Sequence, residues 1–366
     1  MKVLVLTITA GQGHNQVAKN LCESLNSHQG VETYALDTFE YINQALKEIV
    51  SRGYLMSAKR LPKIYGKVYR LAEKRDSENA SLVRITSNVM ARKLLKFIKE
   101  YSPDVIVCTH VFAAMLVTYI EKKLKKDIKT VGIVTDFTIH PYWEETEMDY
   151  YVTANEFLTN QAIKKGIKKE AVLPIGIPID PKFSNRTEKA EARRILGFDD
   201  MRTVLVMSGS MGYGKIGSMI KKLDTSDLDF QIISVCGNNA KLKKQIDKMH
   251  LRHKVYNFGF TDNVDLLMDA ADCIVSKPGG LTSSEALAKG LPMIIANPIP
   301  GQEDRNVEFL LNNGAAIKVS STFPVDEAIY QMFTNEIRLK NIREITEALG
   351  KPNAMRDIVG FVLGEN

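Results

Sequence analysis

Continuous apolar runs, rather than alternating ones, punctuate this chain. VLVLTIT (residues 3–9) is β-branched and closes in a glycine turn, and VETYALD (31–37), PDVIVCTH (103–110), KTVGIVTDF (129–137) and YYVTAN (150–155) follow it. Between them lie stretches with apolar positions three and four apart, which predict helices near Asn15–Ser27, Leu82–Lys99 and Phe112–Lys125. Strands that are apolar throughout and separated by helices predict a parallel sheet covered on both faces. The second half restarts the pattern with RTVLVMSGS (202–210), FQIISVCGNN (230–239), KVYNFGF (254–260), DCIVSKPGG (272–280) and LPMIIANPIP (291–300). The proline-rich VLPIGIPIDPKF (172–183) separates the halves and reads as an extended linker. The expected architecture is therefore α/β, with two Rossmann-like domains facing across a cleft. Ligands in such folds bind at the carboxyl ends of the strands.

Composition narrows the class. The chain has 366 residues, 45% apolar and 25% charged, enough for two hydrophobic cores and too apolar for a disordered protein. Its cysteines (Cys22, Cys108, Cys236, Cys273) are far apart with no C-x-x-C pair, which argues against zinc ribbons and disulfide scaffolds and for a reducing cytoplasm. The opening strand lacks the long apolar core and cleavage site of a signal peptide. The longest apolar run, Val105–Ile120, is interrupted by Thr109 and His110 and is shorter than the roughly 20 residues a spanning helix needs.

Charge is unevenly placed. The formal net charge is +6, whereas residues 52–75 alone hold eight Lys/Arg and one Glu, a local +7, so the rest sums to −1. Leu61, Ile64, Tyr65, Val68 and Ala72 recur on one helical face, with Arg60, Lys63, Lys67, Arg70 and Lys74 largely on the other. Such a helix either packs on its own domain with a solvated charged face or lies on an anionic membrane. No nucleic-acid recognition motif accompanies it.

Four stretches can carry chemistry. TAGQGHN (9–15) gives a tight glycine turn before a helix N-terminus, but Gln16 stands where the dinucleotide fingerprint needs its third glycine, so Asp37 is a poor ribose acid for NAD. Gly13 lets the backbone approach a ligand, and His14 at the loop tip suits a general base near neutral pH, with a capping role as the alternative. VTDFTIHPYW (134–143) brings Asp136, His140 and Trp143 just after a strand. Asp136 can orient His14, bind a hydroxyl or cap a turn, and Trp143 can be core or a lipid-facing rim. MSGSMGYGKIG (207–217) lacks the P-loop spacing before Lys215, yet its Ser210 and Met211 sit in a loop that suits phosphates. The longest motif is SKPGGLTSSEALAKGLPMIIANPIPGQEDRN (276–306). Here Gly280, Leu281 and Thr282 open a helix whose N–H groups and dipole can hold a diphosphate without metal. Glu285, one turn on, can accept ribose hydroxyls, and Glu303 and Asn306 can bind sugar hydroxyls.

Together GQGHN, VTDFTIHPYW, GFTDNVDLLMDAADCIVSKPGGLTSSEALAKG and PGQEDRN resemble the GT-B-type glycosyltransferases, nearest to the monogalactosyldiacylglycerol synthases and processive diacylglycerol glucosyltransferases. These are related to the transferase that adds N-acetylglucosamine to a lipid-linked muramyl peptide. The resemblance covers nearly the whole chain. It implies an inverting transfer of glucose or galactose from a UDP-sugar to the 3-hydroxyl of diacylglycerol, with no cofactor and no active-site metal. Residues 1–176 would bind acceptor and membrane, residues 177–350 would bind the UDP-sugar, and 351–366 would form a helix crossing back to the first domain. By match, Phe260 and its neighbours would hold uracil. Ser210, Met211, Gly280, Leu281 and Thr282 would face the diphosphate, Glu285 the ribose, and Gln302 and Glu303 the hexose. His14 would lie near the acceptor hydroxyl with Asp136 beside it, while His140, Trp143, Arg60, Lys63, Lys67 and Arg70 would serve the acceptor or an anionic membrane. The implied location is cytoplasmic, peripheral on the inner face of the cell membrane, without nucleic acid. Rival readings are transfer to the muramyl lipid, a UDP-N-acetylglucosamine 2-epimerase, and a non-catalytic UDP-sugar sensor at a membrane.

Overall fold

Six parallel strands form the first sheet: β1 (Lys2–Thr7), β2 (Glu32–Asp37), β3 (Val105–Cys108), β4 (Lys129–Ile133), β5 (Tyr150–Val152) and β6 (Val172–Leu173), ordered β2-β1-β3-β4-β5-β6. Six more form the second: β7 (Thr203–Met207), β8 (Gln231–Val235), β9 (Val255–Phe258), β10 (Cys273–Ser276), β11 (Met293–Ile295) and β12 (Ala316–Lys318), ordered β12-β11-β10-β7-β8-β9 and again all parallel. The computed structural model describes residues 1–9, 13–42, 80–121, 128–207, 209 and 215–365, with backbone alone at 80–90 and at Gln302. The basic stretch with Arg60, Lys63, Lys67 and Arg70, and the loop residues Ser210 and Met211, lie outside the described residues.

Burial explains why these segments pair as they do. Val3 to Leu6 of β1 and Val204 to Val206 of β7 are fully buried, as a strand with helices on both faces must be. Each sheet reverses its strand order once, between β1 and β3 in the first and between β7 and β10 in the second. The loops leaving these strands flank the crevice where such sheets bind ligands.

Chain contacts divide the molecule into two units. The first holds Met1–Ile179, Pro300–Gln302 and Asn353–Asn366; the second holds Asp180–Ile299 and Glu303–Pro352. Within the first unit, helix Ala354–Leu363 buries Met355, Ile358, Val359 and Val362. Lys129 Nζ donates to the Phe361 carbonyl at 2.9 Å, and the Tyr150 ring stands edge-on to Phe361 at 4.8 Å.

Two short strands escape the hydrophobic pattern. Val172–Leu173 belongs to the sheet as β6, paired with Tyr151 and Val152, although it begins the proline-rich segment read as linker. β12 buries only Ile317 fully and ends on the exposed Lys318, so it shows no continuous apolar run.

Trp143 is a correction. It is 4% exposed, so it is a core residue and not part of a lipid-facing rim. Its ring lies so close to Gly132 on β4 that a Cβ there would stand 2.7 Å from Trp143 Cζ3, and it meets the Tyr151 ring edge-on at 6.1 Å. The glycine is what lets the indole close this side of the sheet.

The second unit is pinned at its strand entries by a buried charge. Asp272, 5% exposed and just before β10, accepts 2.8 Å bonds from Arg193 Nη2, Lys189 Nζ and the Thr203 N–H of β7. Burial alone would raise this carboxyl, but Lys189, the Thr203 N–H and Arg193 together hold it below the usual aspartate range.

Candidate active site

At the reversal point of the first sheet, the turn after β1 and the ends of β3 and β4 meet on one imidazole. His14 opens helix Gly13–Asn26, and its Nδ1 lies 2.9 Å from the Thr109 carbonyl oxygen and 2.9 Å from Thr135 Oγ1. A carbonyl only accepts, so Nδ1 carries the proton and Nε2 presents a lone pair. Burial lowers the pKa of His14, while Asp136 and the Thr109 carbonyl pull it upward. The imidazole is thus neutral near pH 7, yet it has a carboxylate and a carbonyl ready to stabilise the cation that proton uptake would create.

The turn itself is tied down from below. Asp37, at the end of β2, accepts from the Thr9 N–H at 3.2 Å, from the Thr9 hydroxyl, and from the Phe39 and Glu40 N–H groups at 3.1 Å each. Asn15 Nδ2 donates to Thr9 Oγ1 at 2.8 Å and Thr7 Oγ1 donates to Asn15 Oδ1 at 3.0 Å. Asp37 therefore anchors the turn that presents His14.

Two more histidines stand close by. The His110 ring meets His14 edge-on at 4.6 Å, and its Nδ1 accepts from the Phe112 N–H at 3.2 Å. His140 Nδ1 likewise accepts from the Tyr142 N–H at 3.2 Å, capping the short 3-10 turn Pro141–Glu145. Burial, with His14 and His140 adding to it, pushes His110 well below the ordinary histidine range.

In the second unit the loop after β10 leads straight into helix Gly280–Ala288, whose first turn no side chain caps. The N–H groups of Gly280, Leu281 and Thr282 therefore sit at the positive end of a helix dipole. Among the described residues, the buried hydroxyls of Ser276, ending β10, and Ser283, one turn into the helix, have no hydrogen-bond partner. Buried hydroxyls of that kind call for a ligand or ordered water. Gly209, after β7, adopts a left-handed φ of 62°, a conformation that favours glycine.

Glu285 is half-buried in that helix. Desolvation pushes its carboxyl up to about 7, with Lys182 opposing and Asp180 adding to the rise. Glu303 is 7% exposed and already engaged: Lys277 Nζ reaches Oε1 at 2.9 Å, and the Ile299 N–H reaches Oε2 at 2.6 Å. The chain before it turns at Asn297, whose φ of 51° is rare outside glycine and best tolerated by asparagine.

Asn306 is fully buried and donates through Nδ2 to the Pro278 carbonyl at 2.9 Å, so it holds the loop before the helix. Phe260, beyond β9, is 61% exposed, an apolar ring left in water. Sequence reasoning missed Thr109, Thr135, Lys182 and Lys277. Thr109 acts through its backbone, which has no residue signature, and Lys182 is placed by the turn after the linker, where its Nζ donates to the Asp262 carbonyl at 2.5 Å. Among the described residues, no group of three His, Cys, Asp or Glu is placed to hold a metal ion, and no helix is long and apolar enough to cross a membrane.

Comparison with known proteins agrees with this division. Residues 14–179 match the monogalactosyldiacylglycerol (MGDG) synthase family, and residues 203–358 match the glycosyltransferase family 28 C-terminal domain. The processive diacylglycerol beta-glucosyltransferase of Bacillus pumilus (strain SAFR-032) is 28% identical, over 100% of this chain and 95% of its own length. Among solved structures, MurG of Acinetobacter baumannii superposes with a TM-score of 0.67 at 13% identity, covering 99% of each chain. UDP-GlcNAc 2-epimerase from Neisseria meningitidis bound to UDP-GlcNAc gives 0.62 at 15% identity, covering 100% of each chain. The fold and the matched domains define a glycosyltransferase of the GT-B class. The chain carries a region like the MGDG synthases followed by one like the family 28 C-terminal domain.

Proposed function

We propose that this enzyme transfers glucose or galactose from a UDP-sugar to the free hydroxyl of diacylglycerol, with inversion at the sugar carbon. The observation that carries the reading is His14, neutral, with its Nδ1 proton committed to a backbone carbonyl and Nε2 left to act as a base. Nε2 takes the proton of the glycerol hydroxyl as its oxygen attacks the anomeric carbon. The bond from that carbon to the UDP oxygen breaks on the opposite side, and the leaving diphosphate gathers negative charge. The N–H groups of Gly280, Leu281 and Thr282 stabilise that charge because they are already aimed, at no cost of reorganisation. The motif match assigns Ser210 and Met211 to the same diphosphate and Phe260 with its neighbours to the uracil. Glu285 accepts the ribose hydroxyls and the Lys277-paired Glu303 reads the hexose, to which the motif match also assigns Gln302. Asp136 steadies the imidazolium.

The likeness over its whole length to the Bacillus pumilus diacylglycerol beta-glucosyltransferase supports diacylglycerol as acceptor over the muramyl lipid. The basic stretch 52–75 supports a peripheral site of action on the cytoplasmic, anionic face of a membrane, since each Lys or Arg near such a surface contributes about 1 kcal/mol. A donor-by-acceptor panel in anionic vesicles, read by mass spectrometry of the lipids, tests this. Diacylglycerol with UDP-glucose or UDP-galactose should gain one hexose or more, and the rate should fall as salt screens the surface. Folded protein that leaves diacylglycerol unchanged with both donors overturns the reading.

Glu285 makes donor binding pH-dependent. Only the carboxylate accepts two hydroxyl protons, and burial places its ionisation at about 7. UDP-glucose, whose own charge is constant in this range, should bind more tightly as pH rises from 6 to 8. Glu285→Gln should bind more weakly with a flat profile, by calorimetry. A flat profile in the unaltered enzyme would remove Glu285 from the donor site.

A further inference from the structure

A row of aromatic rings runs away from His14 along the carboxyl edge of the first sheet. His14 touches His110 at 4.6 Å, His110 touches Phe112 at 5.4 Å, and Phe112 touches both Phe39 at 6.3 Å and Tyr142 at 5.6 Å. The rings come from separate elements that follow β2, β3 and β4: the short helix Thr38–Ile42, helix Val111–Glu121 and the turn Pro141–Glu145.

None of the three large rings belongs to the hydrophobic core. In helix Val111–Glu121 the core face is Ala113, Ala114, Leu116, Val117 and Ile120, whereas Phe112 is half-buried. Thr38 is fully buried, while its neighbour Phe39 is half-buried, and Tyr142 is half-buried beside the sealed Trp143. Their apolar area is thus only partly removed from water by folding, and a ligand can remove more. Of the two histidines in the row, His110 spends Nδ1 accepting from the Phe112 N–H and His14 spends its Nδ1 proton on the Thr109 carbonyl, so neither presents a cation to hydrocarbon.

We infer that Phe112, flanked by Phe39 and Tyr142, seats the hydrocarbon of the diacylglycerol nearest its reacting hydroxyl, so that this row of rings sets acceptor specificity. The inference rests on the proposed lipid acceptor and adds the residues that read it. An apolar chain lying on the rings leaves the polar end of the glycerol at the His14 end of the row.

The test is kinetic, with dioctanoylglycerol in detergent micelles and UDP-glucose as donor. Phe112→Ala should raise the KM for dioctanoylglycerol about tenfold or more, the effect of losing contact with two methylenes. The KM for UDP-glucose should not move, and kcat at saturation should stay within about threefold. Phe112→Leu should recover most of the acceptor affinity and Phe112→Gln should not. Tyr142→Ala gives a second reading away from the helix start, with the same split. An unchanged acceptor KM in Phe112→Ala and Tyr142→Ala, or a loss confined to kcat, overturns the inference while leaving the acceptor assignment standing. Failure of the unaltered enzyme to glycosylate any diacylglycerol would instead reject both.

Discussion

His14→Ala is expected to lower kcat about a hundred- to ten-thousandfold, the usual contribution of a positioned general base, while UDP-glucose binds with unchanged affinity. The split follows from the geometry. His14 is held by Thr109 and Thr135 in the first unit, whereas the uncapped helix turn and Glu285 lie in the second. The pH profile adds a sign. The base works only unprotonated, so kcat at saturating donor is lost as pH falls through the pKa of His14. Burial lowers that pKa, so the acid limb should lie below the ordinary histidine range. His14→Ala should abolish the limb along with the rate. A variant with normal turnover would make His14 a capping residue.

The largest stability effect is expected at Asp272→Ala. Its removal leaves Arg193, itself 7% exposed, with a buried guanidinium facing no carboxylate on that side, and frees the Thr203 N–H at the start of β7. Breaking a buried pair from one side costs about 3–5 kcal/mol, to be read from urea unfolding at neutral pH. Asp357→Ala, which removes a partly exposed partner of the exposed Arg356, should cost about 1 kcal/mol or less. The pH dependence has the opposite sense to that of a raised acid. The folded state lowers the Asp272 pKa, so its contribution is full above the unfolded aspartate value and fades as pH falls through the lowered one. Equal losses in the two variants would contradict the role given to the buried network.

The paired α/β architecture was legible because fully buried parallel strands leave continuous apolar runs, as in VLVLT and TVLVM. The two residues of β6, opening a proline-rich segment, leave no such trace, so they read as linker. At the site, His14 and Glu285, whose proposed roles run through side chains beside glycine turns, are singled out by spacing. Those that act through the backbone or through a fold-made neighbour are not: the Thr109 carbonyl, and Lys277 against Glu303. Trp143 shows the limit from the other side. An aromatic residue in a histidine-bearing loop reads equally as rim or core, and only the missing Cβ at Gly132 decides it.

The most direct test of the central claim is the anomeric configuration of the lipid product, read by NMR after UDP-glucose is supplied with diacylglycerol and a lipid-linked muramyl peptide in the same vesicles. Attack by a hydroxyl deprotonated at His14, opposite the departing diphosphate, predicts a β-linked glucosyl diacylglycerol and an unmodified muramyl lipid. An α-linked product, or sugar found only on the muramyl lipid, would contradict it.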